Sequence, residues 1–361
     1  MTDFLKSSKV IAVLFVVLIV GLIAGCGSSS DTAGKGSKGK VVLLSWGGSI
    51  EKSFFQLGMA EKFKQETGYE LELVPKSDSA AIIQQALAQK DNPQVDVVMC
   101  DAGSLLSGHD AGIWVPLSSA KIPNMDKLLP ASKHDDHLYV YFALTGIVYD
   151  KDAFAKNNWP APTSLEDMFA EHLKGKIGFD HFPSSYAEAC LLTWAEQGGG
   201  GYDNIQPGFE KLAKLAPHVY EFSPNMSQME TWLERGNIHA AIYSNVIFKD
   251  VKKAGVNAGF VIPKEGAYIE PTAAAIMKNS PNPEGAAALM NFLISEGFLD
   301  LRYNEFSNIP SNKNVKLDPE GGITWETLEQ AKSFDYSKVR QLRPAWVDKY
   351  NAEIVPIPKA F

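Results

Sequence analysis

The chain has 361 residues, 45% of them hydrophobic and 21% charged, a balance too apolar for a disordered protein and long enough for two folded units of roughly 150 residues each. Its 34 basic and 42 acidic side chains leave a net charge of −8, which removes nucleic acid from the expected partners. Three cysteines are too few for a disulfide framework or a zinc cluster.

Lys6 and Lys9 precede an apolar run from Val10 to Ala24, shorter than the roughly 20 residues a membrane-crossing helix needs. The run fits the hydrophobic region of a secretory signal. It ends in Ile23-Ala24-Gly25-Cys26, which looks like a bacterial lipobox. Cleavage is therefore expected after Gly25 with lipidation of Cys26, giving an extracytoplasmic protein anchored to a bacterial membrane by acyl chains. Residues 27–40 carry almost no apolar side chain and read as a flexible tether, so the folded body is expected from about Val41. Cys100 and Cys190 lie in apolar contexts and read as buried thiols.

Residues 41–45 read as a strand, followed by the turn Trp46-Gly47-Gly48-Ser49 and a helix carried by Phe54, Phe55, Leu57, Met59 and Phe63 up to Gly68. A strand near Leu71 to Pro75, a helix over 80–89 and an unalternated apolar strand over 95–100 follow. Ser49, and Asp78 or Ser79, are candidate helix caps. Later come a strand over 176–179, a helix over 187–197 and a strand over 239–243, with long extended segments at Tyr139 to Tyr149 and Tyr268 to Met277. Residues 286–294 read as helix, 302–314 as irregular, and 325–349 as two helices. Alternating strands and helices predict doubly wound parallel α/β units, and the two long extended segments predict that the chain crosses between them at a hinge.

Nothing in the sequence carries catalysis. The seven histidines show no metal-binding spacing, and His134-Asp135-Asp136-His137 reads as a polar loop. There is no nucleophile elbow, P-loop or dinucleotide fingerprint. Neither an enzyme activity, a cofactor nor a metal site is expected.

Several segments together resemble the solute-binding proteins of ABC importers, specifically the group containing the spermidine and putrescine receptors. They are residues 42–49, Phe63-Lys64-Gln65-Glu66-Thr67-Gly68, Val95-Asp96-Val97-Val98 and residues 232–243. To these are added the turn Pro263-Lys264-Glu265-Gly266, the helix over 283–294 and Asn308-Ile309-Pro310-Ser311-Asn312. The resemblance spans residues 41–345. It implies a two-lobed type II periplasmic-binding fold with a ligand cleft between lobes. One lobe is expected from 41–143 plus 268–312, the other from 144–267, with C-terminal helices over 313–361 packing on both. It also implies a monomer that delivers a small solute to a membrane permease and its ATPase. A sensor lipoprotein and a ligand-free surface lipoprotein are the alternatives.

Cleft residues are expected at the carboxyl ends of strands, where helix N-termini and glycine-rich turns meet. Trp46 offers a stacking face, with Ser49 beside it. Asp101 and Ser104 follow the third strand, Ser185, Tyr186 and Glu188 open a second-lobe helix, and Tyr243 and Asn245 end a buried strand. Glu270 and Thr272 lie on the returning segment. An amine-containing solute, a polyamine foremost, fits such a mixture of acids and aromatics. Ser185 and Thr272 stand where the resemblance leads one to expect acids, so a zwitterionic or anionic solute (a phosphonate, an amino acid, a carboxylate) remains the alternative. No Tyr-Tyr pair exists, which argues against ferric iron.

Overall fold

A computed structural model describes residues 37–318 and 322–361; the signal segment, Cys26 and most of the tether lie outside them. Order begins slightly earlier than the composition predicts. The Lys38 amide donates to the Gly68 carbonyl at 2.8 Å and the Gly39 carbonyl accepts from Glu70 at 2.9 Å, so the last tether residues already extend the first strand pair.

Nine strands position the site: β1 Lys40–Trp46, β2 Glu70–Lys76, β3 Val97–Asp101, β4 Leu138–Asp150, β5 Ile177–Asp180, β6 Val219–Ser223, β7 Ala240–Ser244, β8 Ala258–Val261 and β9 Tyr268–Ile276. They run in the order β2-β1-β3-β9-β4-β7-β5-β6, with β8 also on β4. Pairing is parallel within β2-β1-β3 and within β7-β5-β6, as the strand and helix alternation predicts. The long strands β4 and β9 are antiparallel to each other and to β3, β7 and β8. Residues 138–144 of β4 pair with β9, whereas 145–150 pair with β7 and β8. One strand thus belongs to both halves of the sheet.

Strands β3, β5 and β7 are buried almost throughout, because helices cover both faces and an alternating pattern would leave polar groups in the core. On the β1-β3 side Phe63 and Phe292 rings meet at 5.4 Å and Phe54 stacks on Phe298 at 5.4 Å. On the β5-β7 side Trp194, Phe179, Phe209 and Leu212 fill the interior. Cys100 and Cys190 are buried and unpaired, and burial pushes both thiols up.

Two expectations are corrected. The single helix read through Phe54 to Gly68 is broken: Gly58 takes φ 78° before the helix Met59–Thr67, a conformation glycine adopts without a Cβ clash. Residues 302–306, read as irregular, close the helix Glu296–Phe306, which ends where Ser307 turns left-handed (φ 56°). With no glycine at that stop, the sequence lacks the usual helix-end signal.

Asp96 ties the outer strands together. Its buried carboxylate accepts from the Val42 amide (2.8 Å), the Ser280 hydroxyl (2.5 Å) and the Asn282 amide (2.7 Å). Replacing it orphans three donors, each costly inside a protein. Asp96→Ala is expected to lower unfolding free energy by about 3 kcal/mol or more, at roughly 1–3 kcal/mol for each donor left unpaired, read as a fall in urea midpoint at unchanged slope, with Asp96→Asn intermediate; a loss under about 1 kcal/mol would contradict this account.

Candidate functional site

The central crossing builds the floor of a cleft. Register places Asp101 of β3 opposite Thr272 of β9, and Thr272 opposite Tyr141 of β4. Two residues along, Glu270 faces Ala143. Side chains at i and i+2 share a face, so Glu270 and Thr272 present side by side. A bulge between Tyr139 and Tyr141 shifts the register by one and sets Tyr141 against Thr272 in place of Pro271.

A cavity of about 400 Å³ opens on this floor. Its walls include the aromatics Trp46, Tyr141, Tyr186 and Phe306, and the carboxylates of Asp101, Glu270 and Asp250. A second cavity of about 440 Å³ shares Asp101 and Glu270 and is lined by Ser104, Ser185 and Glu188, with Tyr336 and Arg343 from the C-terminal helix. Asp101 and Glu270 therefore form the partition between the two.

Each carboxylate has a different setting. Asp101 caps the helix Ala102–Asp110 by accepting from the Ser104 amide at 2.7 Å. Glu188 is buried and engaged by Arg343 through two bonds of 2.6 and 2.8 Å. Desolvation raises its pKa and the guanidinium counters it, so Glu188 is already paired inside the protein. Glu270 has no cation pairing of this kind. Its Oε1 is buried without a partner. Desolvation pushes its pKa up to about 8, against a stabilising hydrogen bond from Ser185 and with added repulsion from Asp101 and Glu188. Asp250 is likewise raised, first by desolvation.

Arg302 closes one wall. It is buried, sits over the Tyr141 ring at 4.9 Å and the Phe306 ring at 4.3 Å, and donates to the Ser49 carbonyl (2.8 Å), the Ser53 hydroxyl (2.9 Å), the Ser49 hydroxyl (3.2 Å) and the Asn308 side chain. Ser49 is therefore not a helix cap, that position being Gly48; it lines the cavity as Arg302's partner.

The predicted residues separate by role. Trp46, Ser49, Asp101, Tyr186, Glu270 and Thr272 meet in the first cavity, and Ser104, Ser185 and Glu188 in the second. Tyr243 lies behind Tyr186, ring centroids 4.7 Å apart, and lines neither. Asn245 is spent on structure: its Oδ1 accepts from the Leu144 amide (2.7 Å) and its Nδ2 donates to the Ser307 carbonyl (2.5 Å). Tyr141, Asp250, Arg302 and Phe306 were not foreseen. Only Arg302 carried a signal in retrospect, an arginine beside Tyr303 in a segment otherwise turned toward the core.

A family model described as bacterial extracellular solute-binding protein matches residues 58–331. Among curated proteins, the putrescine-binding periplasmic protein SpuD of Pseudomonas aeruginosa is 26% identical over 306 residues, covering 78% of this chain and 79% of that one. An ABC transporter structure from Clostridium perfringens superposes with a TM-score of 0.72 at 25% identity, covering 87% of this chain and 99% of its own. The spermidine/putrescine substrate-binding protein PotD of Streptococcus pneumoniae gives 0.70 at 18% identity, covering 88% and 98%; at that identity the likeness is one of fold.

Glu270 makes stability depend on pH. Its folded pKa of about 8 lies above the ordinary 4.5, so between these values the folded chain holds a proton that the unfolded chain releases, and stability falls as pH rises through that window. The ligand-free protein is expected to lose melting temperature from pH 5 to pH 8.5, and Glu270→Gln to flatten that decline. An identical slope in both proteins would show that Glu270 is ionised throughout.

Proposed function

The chain belongs to the bacterial extracellular solute-binding protein family, and from that premise we propose that the cleft captures a small amine-bearing solute, a polyamine foremost, for delivery to a membrane permease and its ATPase. The observation that carries this reading is the wall of the first cavity, where three carboxylates stand among four aromatic rings. An ammonium leaving water needs charged acceptors and an electron-rich ring face, and a methylene spacer needs apolar walls. The similarity to a putrescine-binding relative points the same way. Acids seemed scarce when only Ser185 and Thr272 were compared with the expected pattern; Asp250 and Glu270 make up the number in space.

An anionic or zwitterionic solute fits less well. It would face three carboxylates, while both terminal nitrogens of Arg302 already donate to protein acceptors. In the reading adopted, residues 41–143 with 268–312 act as one lobe and 144–267 as the other. Binding to one lobe is followed by hinge closure through β4 and β9, a population shift driven by contacts made only when closed. No chemistry is required of the site, and the protein acts as a binder. Among the described residues no helix is long and apolar enough to cross a membrane. Membrane attachment is assigned to lipidated Cys26, and the working state to a monomer. Delivery to a permease is favoured over sensing by the likeness to an ABC transporter structure.

A thermal-shift series with putrescine, spermidine, amino acids, phosphonates and simple sugars tests this directly, because a ligand that binds only the native state stabilises it by about 2.7 kcal/mol at a hundredfold excess over Kd. A rise with an amine and none with the others is expected; a rise confined to the anions or sugars would overturn the reading. Trp46→Ala and Glu270→Gln should each weaken amine binding by about tenfold or more. Tyr243→Phe should leave it within about threefold, since its ring supports Tyr186 from behind.

A further inference from the structure

Away from the cleft, three side chains from two distant parts of the chain converge. His109 ends the helix Ala102–Asp110, and Asp136 and His137 close the turn that leads into β4. That turn is tight, with the His134 amide donating to the His137 carbonyl at 3.2 Å and Lys133 bridging Leu138. One Asp136 oxygen lies 2.7 Å from His109 Nδ1 and the other 2.8 Å from His137 Nδ1. One ligand-type atom from each of the three falls within 4.8 Å of the others. His137 is 97% buried (3% exposed), and its Nε2 has no hydrogen-bond partner. His134 stacks on it in parallel, centroids 4.2 Å apart, with its own Nε2 buried and unpartnered.

We propose that His109, Asp136 and His137 form a binding site for a divalent transition-metal ion of the zinc type, independent of the solute cleft. Two imidazoles and a carboxylate suit zinc, whose nitrogen and oxygen ligands stand about 2.0–2.2 Å from the metal, so that neighbouring ligand atoms lie about 3.3 Å apart in a tetrahedron. The Asp136 contacts are already shorter than that and need to spread by about half an ångström. The ring free to adjust is His109, whose side chain is half exposed. On binding, each Nδ1 gives up the proton it shares with Asp136 to solvent, and water completes the shell. Ligation through the two Nδ1 atoms and Asp136 would clamp the end of one helix to the start of β4. The same helix begins at Asp101 and the same strand carries Tyr141, so the clamp would brace two elements that floor the cleft.

The test uses the whole folded chain, freed of metal with a chelator and titrated with zinc by dialysis and by melting temperature, with no solute present. One equivalent is expected to bind and raise the melting temperature. His109→Ala, on a half-exposed side chain, should still fold in chelator, its melting temperature lowered only by loss of the Asp136 contact, yet bind zinc more weakly by about tenfold or more. Asp136→Asn, which can still hydrogen-bond, should lose affinity as well. Absence of stoichiometric binding to the wild type would overturn the proposal. So would zinc binding that is unchanged in both variants, which would place the ion elsewhere on the surface.

Discussion

The antiparallel pairing of β4 with β9 is the constraint on which the rest of this protein depends. β4 passes from one half of the sheet into the other while β9 holds its first half, and their hydrogen bonds leave no freedom to slip, because a shift of one residue would turn Glu270 and Thr272 into the core. The bulge near Val140 fixes the register further. The Val140 carbonyl accepts from both the Ser311 hydroxyl (2.6 Å) and the Ser311 amide (3.3 Å), so the late Pro310-Ser311-Asn312 loop holds the bulge in place. Tyr141, Thr272 and Asp101 then fall in one row across three strands.

Electrostatics follows from that row. Carboxylates brought together under apolar cover lose water without gaining a counter-charge, which is expensive unless a partner arrives. The protein satisfies one of them internally: Arg343 reaches from the helix Tyr336–Glu353 to Glu188, while Arg340 of the same helix binds Ser107 and Asp110. That helix thus grips the Ala102–Asp110 helix on one side and the Ser185–Gln197 helix on the other, and Trp346 and Tyr350 join the core beneath. Glu270 has no such partner, and desolvation raises its pKa.

Much of the fold was legible in the sequence because it rests on short-range chemistry. Unalternated apolar runs mark β3 and β7, and Asp78 caps its helix by accepting from the Ala81 amide. Breaks without a strong local signal were missed, such as the turn at Gly58 inside an otherwise helical pattern and the helix end at Ser307. The site was half legible. Trp46, Asp101, Tyr186 and Glu270 could be picked out because they sit at strand ends or open helices. Tyr243 and Asn245 sit at such an end too, yet a single residue's change in direction sends one behind Tyr186 and the other into backbone bonds with Leu144 and Ser307.

By itself the sequence determined the alternation of strands and helices, the two long extended segments and the family. Each is written in the periodicity, caps or motifs of contiguous residues. Only the tertiary structure decided which acids are paired within the protein and which line the cavity without such a partner, since Glu188 and Arg343 are far apart in the chain, as are Asp250, Arg302 and Trp46. The same holds for His109 beside Asp136 and His137, which looked like a lone polar loop in one dimension. Pairing of charges is a property of distances below about 4 Å, and those distances are set by strand register and helix packing that no local pattern encodes.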